Sequence, residues 1–166
     1  MSNNIKKKST TEISKDFKSV VTKLENNLKA IADGETIIAG TKENPIVNNS
    51  KKIPIKHFFM DKVYIREMKM YEGTIVIGAI HKHLHMCFLL EGHVTVADEN
   101  GVVEYKAPCY IESTPGIKRV LYAHEDSLWY NTHKNPSNIK NVKQLEKEIV
   151  ALNYNEYEKY INNKNK

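Results

Sequence analysis

The stretch that decides the fold is Gly73-Thr74-Ile75-Val76-Ile77-Gly78-Ala79-Ile80-His81-Lys82-His83-Leu84-His85. Its β-branched run, opened by a glycine, reads as a strand. Alternate side chains of a strand share a face. Ile75, Ile77 and Ala79 are therefore expected on the same face as His81, His83 and, where the strand continues, His85. An apolar row that passes into a histidine row describes a strand lining a core that ends at a pocket. Same-face neighbours lie about 6.5–7 Å apart along a strand, close enough for two imidazoles to lean onto one ion. Neutral imidazole suits Zn, Fe, Mn, Ni or Cu. The plainer reading is a set of histidines that hydrogen-bond in a polar pocket or sit at an exposed strand end.

Around this stretch, from His57 to His133, short runs rich in Val, Ile, Tyr and Thr alternate with turn residues at intervals of about ten. Eight strands are expected, at 62–70, 73–81, 85–91, 93–98, 102–106, 108–113, 117–123 and 127–133. Asn100-Gly101 between two valine-rich runs is a hairpin signal. Such a pattern predicts an all-β jelly roll. On its N-terminal side, Ile13, Phe17, Val20, Val21, Leu24, Leu28 and Ile31 recur at three and four, the period of an amphipathic helix. Ser9 and Glu12 form a candidate capping box, and Gly34 a stop. Residues 1–8 read as a polar tail, and 34–56 as an extended linker with at most one short strand. On the C-terminal side, Ile139, Val142, Leu145, Ile149 and Leu152 form a second helical stripe, followed by a helical turn with Tyr154, Tyr157, Tyr160 and Ile161. The expected division is thus 1–56, a barrel over 57–133, and a helical segment over 134–166.

The chain has 166 residues, 25 Lys and Arg against 20 Asp and Glu, and a net charge of +5. Residues 1–30 carry +4 and 134–166 carry +3, whereas the middle carries −2 and all seven histidines. The basic surplus lies on the helical ends, alternating with acids. It describes solvated faces and argues against a nucleic-acid partner. No apolar run approaches the roughly 20 residues of a membrane span. Met1–Lys8 carries lysines with no apolar stretch behind them, so no secretory signal is expected. Cys87 and Cys109 are the only cysteines, in keeping with a reducing, cytoplasmic compartment.

The segment Gly78–Gly92, with His81-Lys82-His83 and Leu89-Leu90-Glu91-Gly92-His93-Val94, resembles the first motif of the cupin superfamily. Tyr110-Ile111-Glu112-Ser113-Thr114-Pro115-Gly116-Ile117-Lys118-Arg119-Val120 resembles the second. Val63–His133 is similar to small cupin-like proteins of phages and prophages. That similarity rests on Tyr64-Ile65-Arg66-Glu67, Ala107-Pro108, Ala123-His124-Glu125-Asp126 and Trp129 with His133. The resemblance implies a cupin double-stranded β-helix with flanking helices, a homodimer or larger assembly, and a divalent metal (Zn, Fe, Mn or Ni). The usual ligand set is incomplete, because Cys87 or Leu89 stands at the glutamate position and Lys118 and Arg119 stand near the second-motif histidine. His81 and His83 would then be completed by His85, His124 or His133, with Glu67 a further candidate. Arg66, Lys118 and Arg119 sit where a cupin lines its pocket or its mouth, and Arg offers a bidentate fork to phosphate or carboxylate. Solvent-facing positions at a strand start are the equal alternative for Lys118 and Arg119. Trp129 is a stacking surface for a ligand or, by the commoner rule for lone tryptophans, part of the core. Three functions remain open: a binder of a small anionic molecule such as a host metabolite or signalling nucleotide, a metal-dependent enzyme of dioxygenase or isomerase type, and a structural virion component.

Overall fold

The structure is a computed structural model that describes residues 10–40 and 50–164, with side chains from Lys18 onward. The tail at 1–8, the Ser9–Glu12 box, the side chains of Ile13 and Phe17, and linker residues 41–49 lie outside the described residues. In chain order the elements are α1 (Thr10–Ala30), β1 (Ile37–Ala39), β2 (Ile55–Met60), β3 (Val63–Met70), β4 (Ile75–Ile77) and β5 (Ile80–His81). There follow β6 (His85–Glu91), β7 (His93–Asp98), β8 (Gly101–Lys106), β9 (Cys109–Ser113), β10 (Val120–Ala123) and β11 (Ser127–Lys134). The chain closes with α2 (Val142–Ile149), β12 (Val150–Ala151) and α3 (Tyr154–Lys164).

Two five-stranded sheets form the jelly roll, ordered β1-β4-β10-β7-β8 and β2-β3-β11-β6-β9. All pairings are antiparallel except β1 on β4. The core between the sheets holds Ile53, Met70, Val76, Leu89, Val94, Leu121 and Trp129. On β6, β7 and β10 these come from runs whose alternate residues are apolar, whereas the inner row of β11 sets Trp129 among Ser127, Asn131 and His133.

The decisive stretch departs from the expected single strand. It breaks at Gly78-Ala79 into β4, which belongs to the first sheet, and β5, which among the described residues pairs with β12 alone. Gly78 N–H donates to the carbonyl of Arg119 at 2.8 Å, and a Cβ on Gly78 would stand 3.0 Å from that oxygen. The break shifts the phase of the alternation. Val76, rather than Ile75 or Ile77, lies in the core between the sheets.

The terminal helices dock differently from their apolar stripes. On α1, Val21 is buried and Glu25 is buried with it, while Val20 and Leu24, and Ile31 just past its end, stay exposed. Val21 packs while Glu25 meets Lys118 of the barrel, and this pairing fixes the rotation of the helix. On α2, capped by Asn141 through Gln144 N–H, Leu145 and Ile149 join Tyr64 and Val150 in a second core at one end of the barrel.

Gly92 sets the β6–β7 turn. Its φ is +85°, and a Cβ there would run into Ser127 and the carbonyl of Asp126. Replacing it with alanine therefore adds both backbone strain and a clash. Gly92→Ala is expected to lower unfolding stability by about 2 kcal/mol or more in urea titrations.

Candidate functional site

Strand β11 lies between β3 and β6, and its register builds the site. Opposite Trp129, Asn131 and His133 stand Met68, Arg66 and Tyr64 of β3. On the other side Asn131 faces Cys87 and Trp129 faces Leu89 of β6. The same phase places His133 beside His85, the first residue of β6, and their rings stack at 4.5 Å between centroids. His81 closes the group from β5. Its Nδ1 lies 2.7 Å from Nε2 of His85, and its ring meets that of His133 edge-on at 5.0 Å. The donor atoms of His81, His85 and His133 all lie within 4.8 Å of one another, enclosed in the interior.

Of the residues singled out in the sequence, His83 and His124 stand apart from this group. The chain turns at Lys82–Leu84 because β5 and β6 pair with different sheets, so strand alternation lapses there. His81 and His85 meet across the turn, four residues apart, and His83 sits at its tip. There its Nε2 lies 3.2 Å from the carbonyl of Glu148, against the ring of Tyr160. His124 lies past β10, beside His93, with ring centroids 4.3 Å apart. Lys118 is enclosed, but it points away from the site to Glu25 (2.6 Å) and the carbonyl of Leu152 (3.3 Å). Glu67 faces the outside of its sheet, paired with Lys56 at 2.9 Å and accepting the hydroxyl of Tyr130.

Arg66, Arg119 and Trp129 do line the cavity with His81 and His85, and His133 stands behind them against both rings. Trp129 is also core, 2% exposed, and its indole N–H donates to Asn131 Oδ1 at 3.1 Å. Arg119 donates to Ser113 Oγ, and its Nε lies 3.4 Å from Asp98 without forming a hydrogen bond. Arg66 meets Glu146 of α2 at 3.2 Å. Glu146 was not among the sequence candidates, yet its signal was present. It is an acid on the apolar stripe, four residues after Val142 and three before Ile149. With Val150 it walls the cavity, whose volume is about 50 Å³. That is room for an ion and a few waters.

Burial governs the charge states. It holds His81 and His133 well below the ordinary imidazole value, and the neighbouring imidazoles and guanidiniums push the same way. His85 is held at about 4 by burial, against a weaker opposing contact with the carbonyl of His83. The three rings are thus neutral at pH 7, the form that binds metal ions. His133 Nε2 and Glu146 Oε2 are buried without a hydrogen-bond partner among the described residues. Burial raises Glu146 to about 7, outweighing the pull of Arg66. Cys87 is raised to about 11 and stays a thiol, donating to Asn131 Oδ1 at 3.2 Å.

No protein-family model and no curated protein matches the chain. Solved structures do. The EutQ protein of Clostridium difficile is 12% identical over 51% of this chain and 68% of that one, with a TM-score of 0.43. A cupin 2 conserved barrel domain protein from Salinispora arenicola is 8% identical over 59% and 88%, at 0.46. Salicylate 1,2-dioxygenase from Pseudoaminobacter salicylatoxidans is 9% identical over 53% of this chain, at 0.48, and the match spans 26% of the dioxygenase chain. At such identities no activity transfers. The jelly roll with its flanking helices rests on the sheet order described above. Among the described residues no helix is long and apolar enough to cross a membrane.

Two measurements test this site. In metal-free protein the depressed histidines bind fewer protons folded than unfolded, so their stabilisation is present above about pH 6.5 and is lost as pH falls toward 4. Glu146 has the opposite sign: its contribution is present below 4.5 and is lost as pH rises toward 7. With three groups against one, urea stability is expected to fall on acidification from pH 6.5 to 4.5, and Glu146→Gln is expected to steepen that fall. A flat profile would contradict the assigned burial. Separately, Lys118→Met leaves Glu25 with Lys29 as its remaining partner and is expected to cost about 1–2 kcal/mol in urea titrations, without altering what the cavity binds.

Proposed function

We propose that the chain is a cupin that holds a divalent metal through His81, His85 and His133, with a small anion seated beside it by Arg66 and Arg119. One observation carries this reading: three buried imidazoles converge at the cavity, and His133 keeps an unpartnered buried nitrogen. Such a donor set fits a borderline metal such as Zn, Fe, Mn or Ni. When bound, the metal supplies a Lewis-acid contact that polarises and orients an oxygen ligand. Arg119, whose guanidinium lines the cavity, is the residue to receive a carboxylate or similar oxyanion. The volume supports a small anion, and a nucleotide does not fit beside α2 as it stands. The homo-oligomer, phage-type origin and bacterial cytoplasm go with this proposal on the strength of the sequence resemblance.

The second reading, a metal-dependent enzyme, is favoured by Glu146. A buried carboxyl held near 7 at the cavity wall is suited to take up and release a proton at physiological pH.

Elemental analysis of wild type and of a His81→Ala/His133→Ala chain tests the proposal. The double variant is expected to carry one metal fewer per chain, with a native far-UV spectrum. Arg119→Met should retain the metal and weaken binding of an acetate probe about tenfold or more. Equal metal content in wild type and the double variant overturns the metal assignment.

A further inference from the structure

A second group of metal-binding side chains lies on the outer face of the first sheet. On β7, Val94 and Val96 point into the core, so His93 and Thr95 point outward. Glu104 of β8 stands opposite Thr95 in register, and Tyr122 of β10 stands opposite it on the other side. His124 follows β10 directly, and its backbone N–H donates to the carbonyl of His93 at 2.9 Å. Three neighbouring segments thereby bring His93, Glu104 and His124 to one point, with one donor atom from each within 4.8 Å of the others.

The arrangement around this point is ordered. His93 Nε2 lies 3.2 Å from Glu104 Oε2, and the rings of His93 and His124 stack at 4.3 Å with 24° between planes. Thr95 Oγ1 lies 2.6 Å from His124 Nε2, and Tyr122 meets the His124 ring edge-on at 4.8 Å. Thr95 and Tyr122 therefore fix the imidazole of His124, the supporting role that outer partners play for ligating histidines. A tetrahedral zinc shell with bonds of 2.0–2.1 Å needs donors about 3.3 Å apart. The His93–Glu104 pair already meets that spacing. Glu104 is 62% exposed and free to follow the ion inward. The nearest hostile charge in register is Lys106, which stands opposite His93 and is itself exposed.

We propose that His93, Glu104 and His124 form a second divalent-metal site, solvent-facing and of zinc type, separate from the barrel histidines. Two imidazoles and one carboxylate leave at least one coordination position to water or to an incoming donor. The bound ion ties β8, which ends its sheet, to β7 and to the turn after β10.

The test is a Zn²⁺ titration of the full chain, read from the ring ¹⁵N resonances of its histidines and from the number of ions bound. His93 and His124 are expected to shift together on zinc addition. His93→Ala/His124→Ala should bind one ion fewer while the barrel histidines respond as in wild type, and Glu104→Gln should weaken this site about tenfold or more. Resonances of His93 and His124 that stay unmoved at saturating zinc overturn the proposal, as does a double variant with wild-type stoichiometry. Unchanged affinity in Glu104→Gln overturns the three-residue site. Should the double variant fail to fold, the resonances of the wild type decide. Because the barrel histidines report separately, failure here is distinct from failure of the barrel metal.

Discussion

The register of β11 is the constraint on which the rest depends. Its eight residues all pair with β3 and five of them, Leu128 to Thr132, also with β6, and Trp129, Asn131 and His133 all face inward. A slip of one residue would turn the indole, the amide and the imidazole to solvent and bring Leu128, Tyr130 and Thr132 inside. The tryptophan fills the core, and Asn131 Oδ1 accepts from both Trp129 and Cys87. His133 completes the histidine group against the ring of Tyr64, stacked at 5.9 Å. Packing and site are therefore one register seen at successive depths of the barrel.

Both terminal helices attach by the same device. An acid on the helix meets a cation of the barrel: Glu25 with buried Lys118, and buried Glu146 with Arg66. Apolar contacts through Val21, Leu145 and Ile149 supply the buried area. The ion pairs supply the rotation, since leaving a buried charge unpaired costs several kcal/mol. The ends of the chain carry the basic surplus, yet each docks through a carboxylate.

Most of the barrel was legible because period-two alternation and turn glycines are local signals. The hairpin at Asn100-Gly101 and the strands at 85–91 and 93–98 stand as the pattern predicts. The edges were harder. Strand β12 has only two residues, and β2 begins inside the stretch read as linker. At the site, Arg66, His81, His85, Arg119, Trp129 and His133 come together, and of the alternatives offered beside His81 and His83 only geometry separates His85 and His133 from His124. His83 stands apart because a turn between two sheets cannot be told from a continuing strand by parity alone. The direction of Lys118 and the presence of Glu146 were illegible for a related reason: each is explained by a partner 93 or 80 residues away.

The wall formed by α2 and β12 has a kinetic meaning. Glu146 and Val150 form part of the cavity wall, and the two-residue β5–β12 ladder beside them is the shortest pairing among the described residues. So short a ladder holds few backbone hydrogen bonds, and this part of the wall is expected to open at lower free energy than the long β3–β11 ladder opposite. The amides of β12 are then expected to exchange with solvent ahead of those of β11, so that the two sides of one cavity differ in how long they stay shut.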